Sequence, residues 1–339
     1  MASKDKEQSL IKKMGLSDVS KFRELGLLLV LIVLSIFIQL RNPAFLTIDN
    51  LSNMVSNTAI LSILAVGMML VIVTRGIDLS IGATIAFSGM IVAQLVSENS
   101  NISPILALLL GTVIGIMVGF IIGFFISKLG ILPIIATLSS MFVIRGLTFM
   151  VSDGSWVSAH QLSDSFLSIG RGTIFGINYL VVIAIVIYLI FYYFINHTRT
   201  GRQIYAVGSN PDSAVVSGIK KDKIILLVYS LMGGLAGLAG VLWVARFASA
   251  QGDTATGYEM NVIAACILGG VSISGGSGKI TSVILGSLLI GILNNALPLI
   301  GVSPFWQMAI QGFIILFAVI ANTLVGRRVE KNHLQRRVI

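Results

Sequence analysis

The stretch 197–223, HTRTGRQIYAVGSNPDSAVVSGIKKDK, decides how this chain is read. Arg199 and Arg202 make its opening basic, and Lys220, Lys221 and Lys223 do the same at its close. Between them Gly208-Ser209-Asn210-Pro211 reads as a turn and 212–217 as a short helix. Asn210 or Asp212 suits the cap of that helix, Pro211 its first turn and Gly218 its stop. On either side lie runs apolar enough for lipid, from Asn178 to Ile195 and from Ile224 to Arg246. A short polar helix lying along a membrane, on its positive side, is placed to be pushed by a soluble partner.

Working outward, the whole chain is apolar. Mean hydropathy is +0.95. Only 11% of the residues are charged and 55% are hydrophobic, whereas a soluble domain carries about 25% charged residues. A helical span needs about 20 residues, so the expected class is an all-α polytopic membrane protein with about ten transmembrane helices. Residues 1–23 form a polar leading segment, 24–325 the transmembrane domain and 326–339 a basic tail. No cleavable signal is expected, because no small-residue cleavage pattern follows the apolar run that begins near Leu25. The net charge of +9 expresses topology rather than affinity for nucleic acid. Of 23 Lys and Arg residues, all but Arg41, Arg145, Arg171 and Arg246 fall on one side of the expected spans. That asymmetry places both termini in the cytoplasm.

The expected spans run 24–40, 53–74, from there to about 96, 104–127, 132–151, 178–195, 224–246, 258–273, on to about 298, and 305–325. In the fourth, Gly111, Gly115, Gly119 and Gly123 recur every fourth residue. Such a face lets a second helix approach closely in lipid, where packing drives association. The outer segment 152–176 is the longest outside, and either docks a partner or caps the bundle. Residues 63–89 and 262–287 share a weak pattern of apolar helix, Gly/Ser break and apolar helix. Broken helices of that kind mark translocation paths in transporters.

Chemistry of other kinds finds little support. The run ending Gly278-Lys279 departs from a phosphate-binding loop at Ile273 and Ile280, so the chain is not expected to bind ATP. Cys266 is alone, and His160, His197 and His333 are scattered, which argues against a disulfide or a metal site. Ionisable residues deep in a bilayer mark ion-coupled carriers. The candidates Asp78, Arg145, Arg246 and Glu259 all fall near span ends, with Asp78 placed to pair with Arg75 and Arg145 to snorkel. Energy supplied from outside the chain therefore fits better than an ion-driven carrier. Neutral polar side chains remain as a pathway: Asn57, Gln94, Asn294, Asn295, Trp306, Gln307 and Gln311. Amides with an aromatic face suit sugar hydroxyls, although each could equally tie helices together.

Three motifs in order, Arg75 to Gly82, Thr198 to Asn210, and Gly257-Tyr258-Glu259 through Ile263-Ala264-Ala265 to Leu268-Gly269-Gly270, resemble the permease of ribose-type ABC sugar importers. The resemblance runs from about Leu25 to Ala321. It implies an all-helical permease in a bacterial inner membrane that pairs, usually with itself, around one pathway. A sugar-binding protein would deliver substrate outside, and a cytoplasmic ATPase carrying ATP and Mg would grip the loop 197–223. Gly201, Arg202, Gly208, Asn210, Pro211 and Gly218 carry over as coupling residues, flanked by Thr200 and Asp212. No cofactor is implied on this chain. Ribose leads among small sugars, with rhamnose or the autoinducer-2 furanose as alternatives. An ion-driven carrier and a passive channel are the readings from other classes.

Overall fold

In lipid every backbone N–H and C=O must be satisfied internally, so long apolar runs fold as helices. A computed structural model describes residues 16–314, 316–317 and 319–320. The basic tail 326–339 and the end of the span expected to 325 lie outside the described residues, as does the stretch 1–15. Helices α1 (Leu16–Arg41), α2 (Ile48–Val73), α3 (Ile81–Glu98), α4 (Pro104–Lys128) and α5 (Pro133–Ser152) come first. A short α6 (Asp164–Arg171) and a two-residue hairpin, Thr173–Ile174 with Ile177–Asn178, lead into α7 (Tyr179–His197). Then follow α8 (Arg199–Ser209), α9 (Pro211–Val216), α10 (Lys221–Phe247), α11 (Tyr258–Leu268) and α12 (Ile280–Leu299). A further helix begins at residue 304. Among the described residues, eight helices are long and apolar enough to cross a membrane, and the chain is an all-α, multi-pass membrane protein.

Helices α2, α3 and α10 form the centre. Every residue from Thr58 to Val73 is buried, as expected of a helix that is apolar all round. By contrast α1, α4, α5 and α7 turn Leu, Ile and Phe side chains outward, which is where lipid would lie. The closest packing joins α4 to α10. A Cβ placed on Gly111, Gly115 or Gly119 would run into the backbone of Gly237, Gly233 or Tyr229, and Gly123 lies against Leu226 and Tyr229. The two helix backbones thus touch directly at Gly115 and Gly119, while the Val241 side chain lies nearest Gly111. Across the bundle, Gly240 meets Ser88 and Gly89 of α3 in the same way.

Two expectations are corrected. First, α11 is not a full span. Its 11 residues rise only about 16 Å, against a hydrocarbon core of about 30 Å. The helix stops at Leu268 because Gly270, Gly275 and Gly276 take positive φ, a conformation natural to glycine, and the turns continue to Lys279. Second, Arg145 does not snorkel, and the connection 248–257 that it holds is partly buried. Ala248, Ala250, Gly252 and Ala255 are buried, and Arg145 donates through Nη1 to the carbonyls of Gly252 (2.9 Å) and Thr254 (2.8 Å). Arg145 therefore secures a segment folded back into the bundle rather than reaching for the membrane surface. The segment 152–176 acts in part as a cap, since Gly170 of α6 seats against the backbone of Ala245 and Arg246.

Candidate functional site

The loop 197–223 folds as two helices, of which only the second was expected. Thr198 caps α8 by accepting from the Gly201 N–H (3.0 Å), and a Cβ at Gly201 would strike the carbonyls of Phe194 and Ile195. Only a glycine permits this tight exit from α7. The buried face of α8 is Gly201, Ile204, Val207 and Gly208, one stripe at helical spacing. That spacing was present in the sequence, masked by the polar residues between. Asn210, rather than Asp212, caps α9 by accepting from Ser213 N–H (3.0 Å). Gly218, at φ +80, ends the unit.

The buried stripe of α8 rests where two helix breaks meet. One is 74–80, between α2 and α3; the other is 269–279, between α11 and α12. Gly276 donates to the Val73 carbonyl (2.9 Å), joining the breaks directly. Gly208 fits against both, and a Cβ there would overlap the Val73 carbonyl and crowd Gly276 N. Arg75, in the left-handed region at φ 66, donates from Nε to the Gly208 carbonyl and from Nη2 to the Ser209 carbonyl, both 2.6 Å. Tyr205 donates to the Gly278 carbonyl (2.7 Å), and burial holds its phenol above the ordinary pKa, so it stays a neutral donor. Arg75 does not pair with Asp78. The Asp78 carboxylate accepts instead from Ser80 N–H (2.8 Å) and Ser80 Oγ (2.6 Å), and burial pushes its pKa up against those two bonds.

Arg202, Asn210, Asp212 and Gly218 lie exposed at the tip, with Thr200 and Pro211 half-buried. Val215 and Val216 are exposed beside them, Val216 at 90%. They are two adjacent apolar side chains on an otherwise polar tip. The same end of the bundle carries the pairs Lys128–Asp222 (3.3 Å) and Lys279–Glu24 (3.9 Å).

Towards the opposite end, a cavity of about 290 Å³ opens between α2, α10, α11 and α12. Asn57, Asn294 and Asn295 line it, with Thr58 and the rings of Trp243, Phe247 and Tyr258. Trp243 lies 4.9 Å from Phe247 and 5.0 Å, edge-on, from Tyr258, ring centroid to centroid. The three rings were missed in the sequence. Trp243 and Phe247, four apart on one helix, were the available signal. Of the other expected pathway residues, Gln311 reaches the cavity only through Asn294 (2.9 Å). Gln94 bonds the Val151 carbonyl (3.0 Å) and Gln307 the Val302 carbonyl (2.7 Å), and Trp306 is exposed. None of these three lines the cavity. A neutral amide set beside aromatic faces can hold a small polar, uncharged molecule by hydrogen bonds and ring contact.

Comparison with known proteins decides the class. Residues 50–319 match the family described as branched-chain amino acid transport system / permease component. The chain belongs to this permease family. The ribose import permease protein of Bacillus subtilis is 42% identical over 300 residues, 88% of this chain and 92% of that protein. Its counterpart in Escherichia coli is 40% identical over 299 residues, covering 87% and 92%. The D-allose transport system permease protein of Escherichia coli is 35% identical over 297 residues, covering 87% and 90%. No solved structure matches. The family description names amino acids whereas these relatives are named for sugars, so family membership settles translocation and leaves the cargo to the cavity. As a permease, the chain is a translocation subunit and not itself an enzyme.

Proposed function

We propose that this chain is the membrane subunit of an ABC importer that moves a small monosaccharide, ribose first, into the cytoplasm. One observation carries the mechanism: Gly208 is wedged between the two helix breaks while α9, on the same rigid turn, presents Val215 and Val216 to a partner. In this reading ATP and Mg reside on a separate cytoplasmic ATPase that grips Arg202, Asn210, Pro211, Asp212 and the α9 face. A sugar-binding protein delivers substrate at the opposite end. Two copies of the chain pair in a bacterial inner membrane, with 24–325 as the working domain. The family and the sugar-named relatives support the permease role, and the basic residues around the α8–α9 unit support its cytoplasmic orientation.

The mechanism follows from contacts. A displacement of α9 is passed to α8 through the Asn210 cap, and from α8 into Val73, Arg75 and Gly276. These sit at the ends of α2 and α11, the helices that also carry Asn57 and Tyr258 of the cavity. Closure of the ATPase then changes both breaks together and re-aims the cavity. ATP shifts this equilibrium only as far as the partner binds one state better than the other.

The test is reconstitution in proteoliposomes with the cognate ATPase and binding protein. Labelled ribose should enter only with ATP and both partners present. Uptake by the chain alone under a proton or sodium gradient would instead establish a self-powered carrier.

A further inference from the structure

The amides lining the cavity are not free to turn. Arg246 donates from Nε to Asn57 Oδ1 and from Nη2 to Asn53 Oδ1, each at 3.0 Å. A guanidinium has donors and no acceptor, so the Asn57 oxygen must face it and the Asn57 nitrogen must face away. Asn57 Nδ2 donates to nothing among the described residues. A second constraint acts across the cavity. Asn50 Nδ2 donates to the Phe45 carbonyl (2.8 Å), which can only accept, and this fixes the Asn50 amide. Asn50 and Asn295 then exchange reciprocal bonds at 3.0 Å, so the Asn295 oxygen is also engaged. Asn294 Oδ1 accepts from Gln311 (2.9 Å). Each of these three oxygens already accepts one bond, while Asn57 Nδ2, turned the other way, keeps its hydrogens for a ligand.

We propose that the cavity recognises its ligand by N–H donation from Asn57, Asn294 and Asn295, with Arg246 as the positioning residue that locks Asn57 in its donating orientation. The inference rests on the sugar-importer reading and sharpens it. The ligand class is a neutral, oxygen-rich molecule whose ring and hydroxyl oxygens accept hydrogen bonds while its ring face meets Trp243 and Tyr258.

The experiment uses the assembled importer in proteoliposomes, with labelled ribose, galactose, allose and leucine, and two matched variants. Asn57→Asp keeps an oxygen on Arg246 but replaces the donor with an acceptor. Asn53→Asp adds the same charge against the same guanidinium, outside the cavity. The expected result is sugar uptake by the wild type, a fall of about tenfold or more in Asn57→Asp, as for one hydrogen bond to a polar ligand lost and reversed, and a change within about threefold in Asn53→Asp. Arg246→Lys, which keeps the charge and loses the fork, should raise the apparent KM for sugar with the ATPase rate retained. Wild-type sugar uptake with Asn57→Asp unimpaired, or with Asn53→Asp equally impaired, overturns the donor assignment and leaves the importer reading standing. Leucine uptake overturns the donor assignment and the sugar reading together, as does uptake of none of the four.

Discussion

The two ends of the bundle make contacts of different kinds. Where α8 meets the two helix breaks, every contact engages backbone: Gly208 lies on Val73, Gly276 bonds Val73, and the Arg75 side chain bonds two carbonyls. At the cavity the meeting groups are side chains that hold one another, Arg246 on Asn57 and Asn50 on Asn295. Backbone contacts without intervening side chains transmit displacement with little slack, because packed interiors resist small deformations. Side-chain contacts leave polar groups that a ligand can use. On the proposed function, one end is the part that is moved and the other the part that holds the ligand.

Substitutions at the two ends should therefore fail differently. Gly208→Val is expected to have the largest effect. Its side chain has no space against Val73, so ATP-dependent uptake of every sugar should be abolished while the protein still inserts. Uptake at wild-type rate would break the distinction. Arg75→Ala removes two charge-assisted bonds, each worth about 1.5–3 kcal/mol where water is excluded, and less here because the side chain is partly exposed. Coupled uptake should fall at least severalfold, equally for each sugar, measured as sugar moved per ATP hydrolysed. Trp243→Ala strips a ring from the cavity and should raise KM for sugar with ATP hydrolysis still coupled. Uniform uncoupling by this variant would erase the contrast. Gln94→Ala removes only an end contact to Val151, worth about 0.6 kcal/mol as interhelical bonds in membranes go, and uptake should be near wild type.

Much of the scaffold was legible in the sequence, since apolar length and charge asymmetry follow from the bilayer itself. The α4 glycine face was readable because a four-residue period admits one geometry. Helix α8 was not, because its buried stripe is short and two of its four members are glycines, which read as a turn. The length of α11 was hidden in an apolar run that continues past Leu268, and only glycines at positive φ stop it. Asp78 and Arg75 look like an ion pair three residues apart, yet the left-handed turn at Arg75 sends its side chain to α8 instead. The amides Asn57, Asn294 and Asn295 were visible as polar residues in apolar spans, but not which side chains their oxygens accept from. That depends on Arg246, Asn50 and Gln311, which are brought in by tertiary packing.

The central claim is that the α8–α9 unit is the handle by which another subunit works the junction. It is tested most directly by placing a photoreactive amino acid at Val216 and illuminating the assembled importer. Cross-links to the ATPase subunit, changing in yield when ATP is added, are predicted. Cross-links to the extracytoplasmic binding protein, or none to the ATPase in a complex that transports sugar, would contradict it.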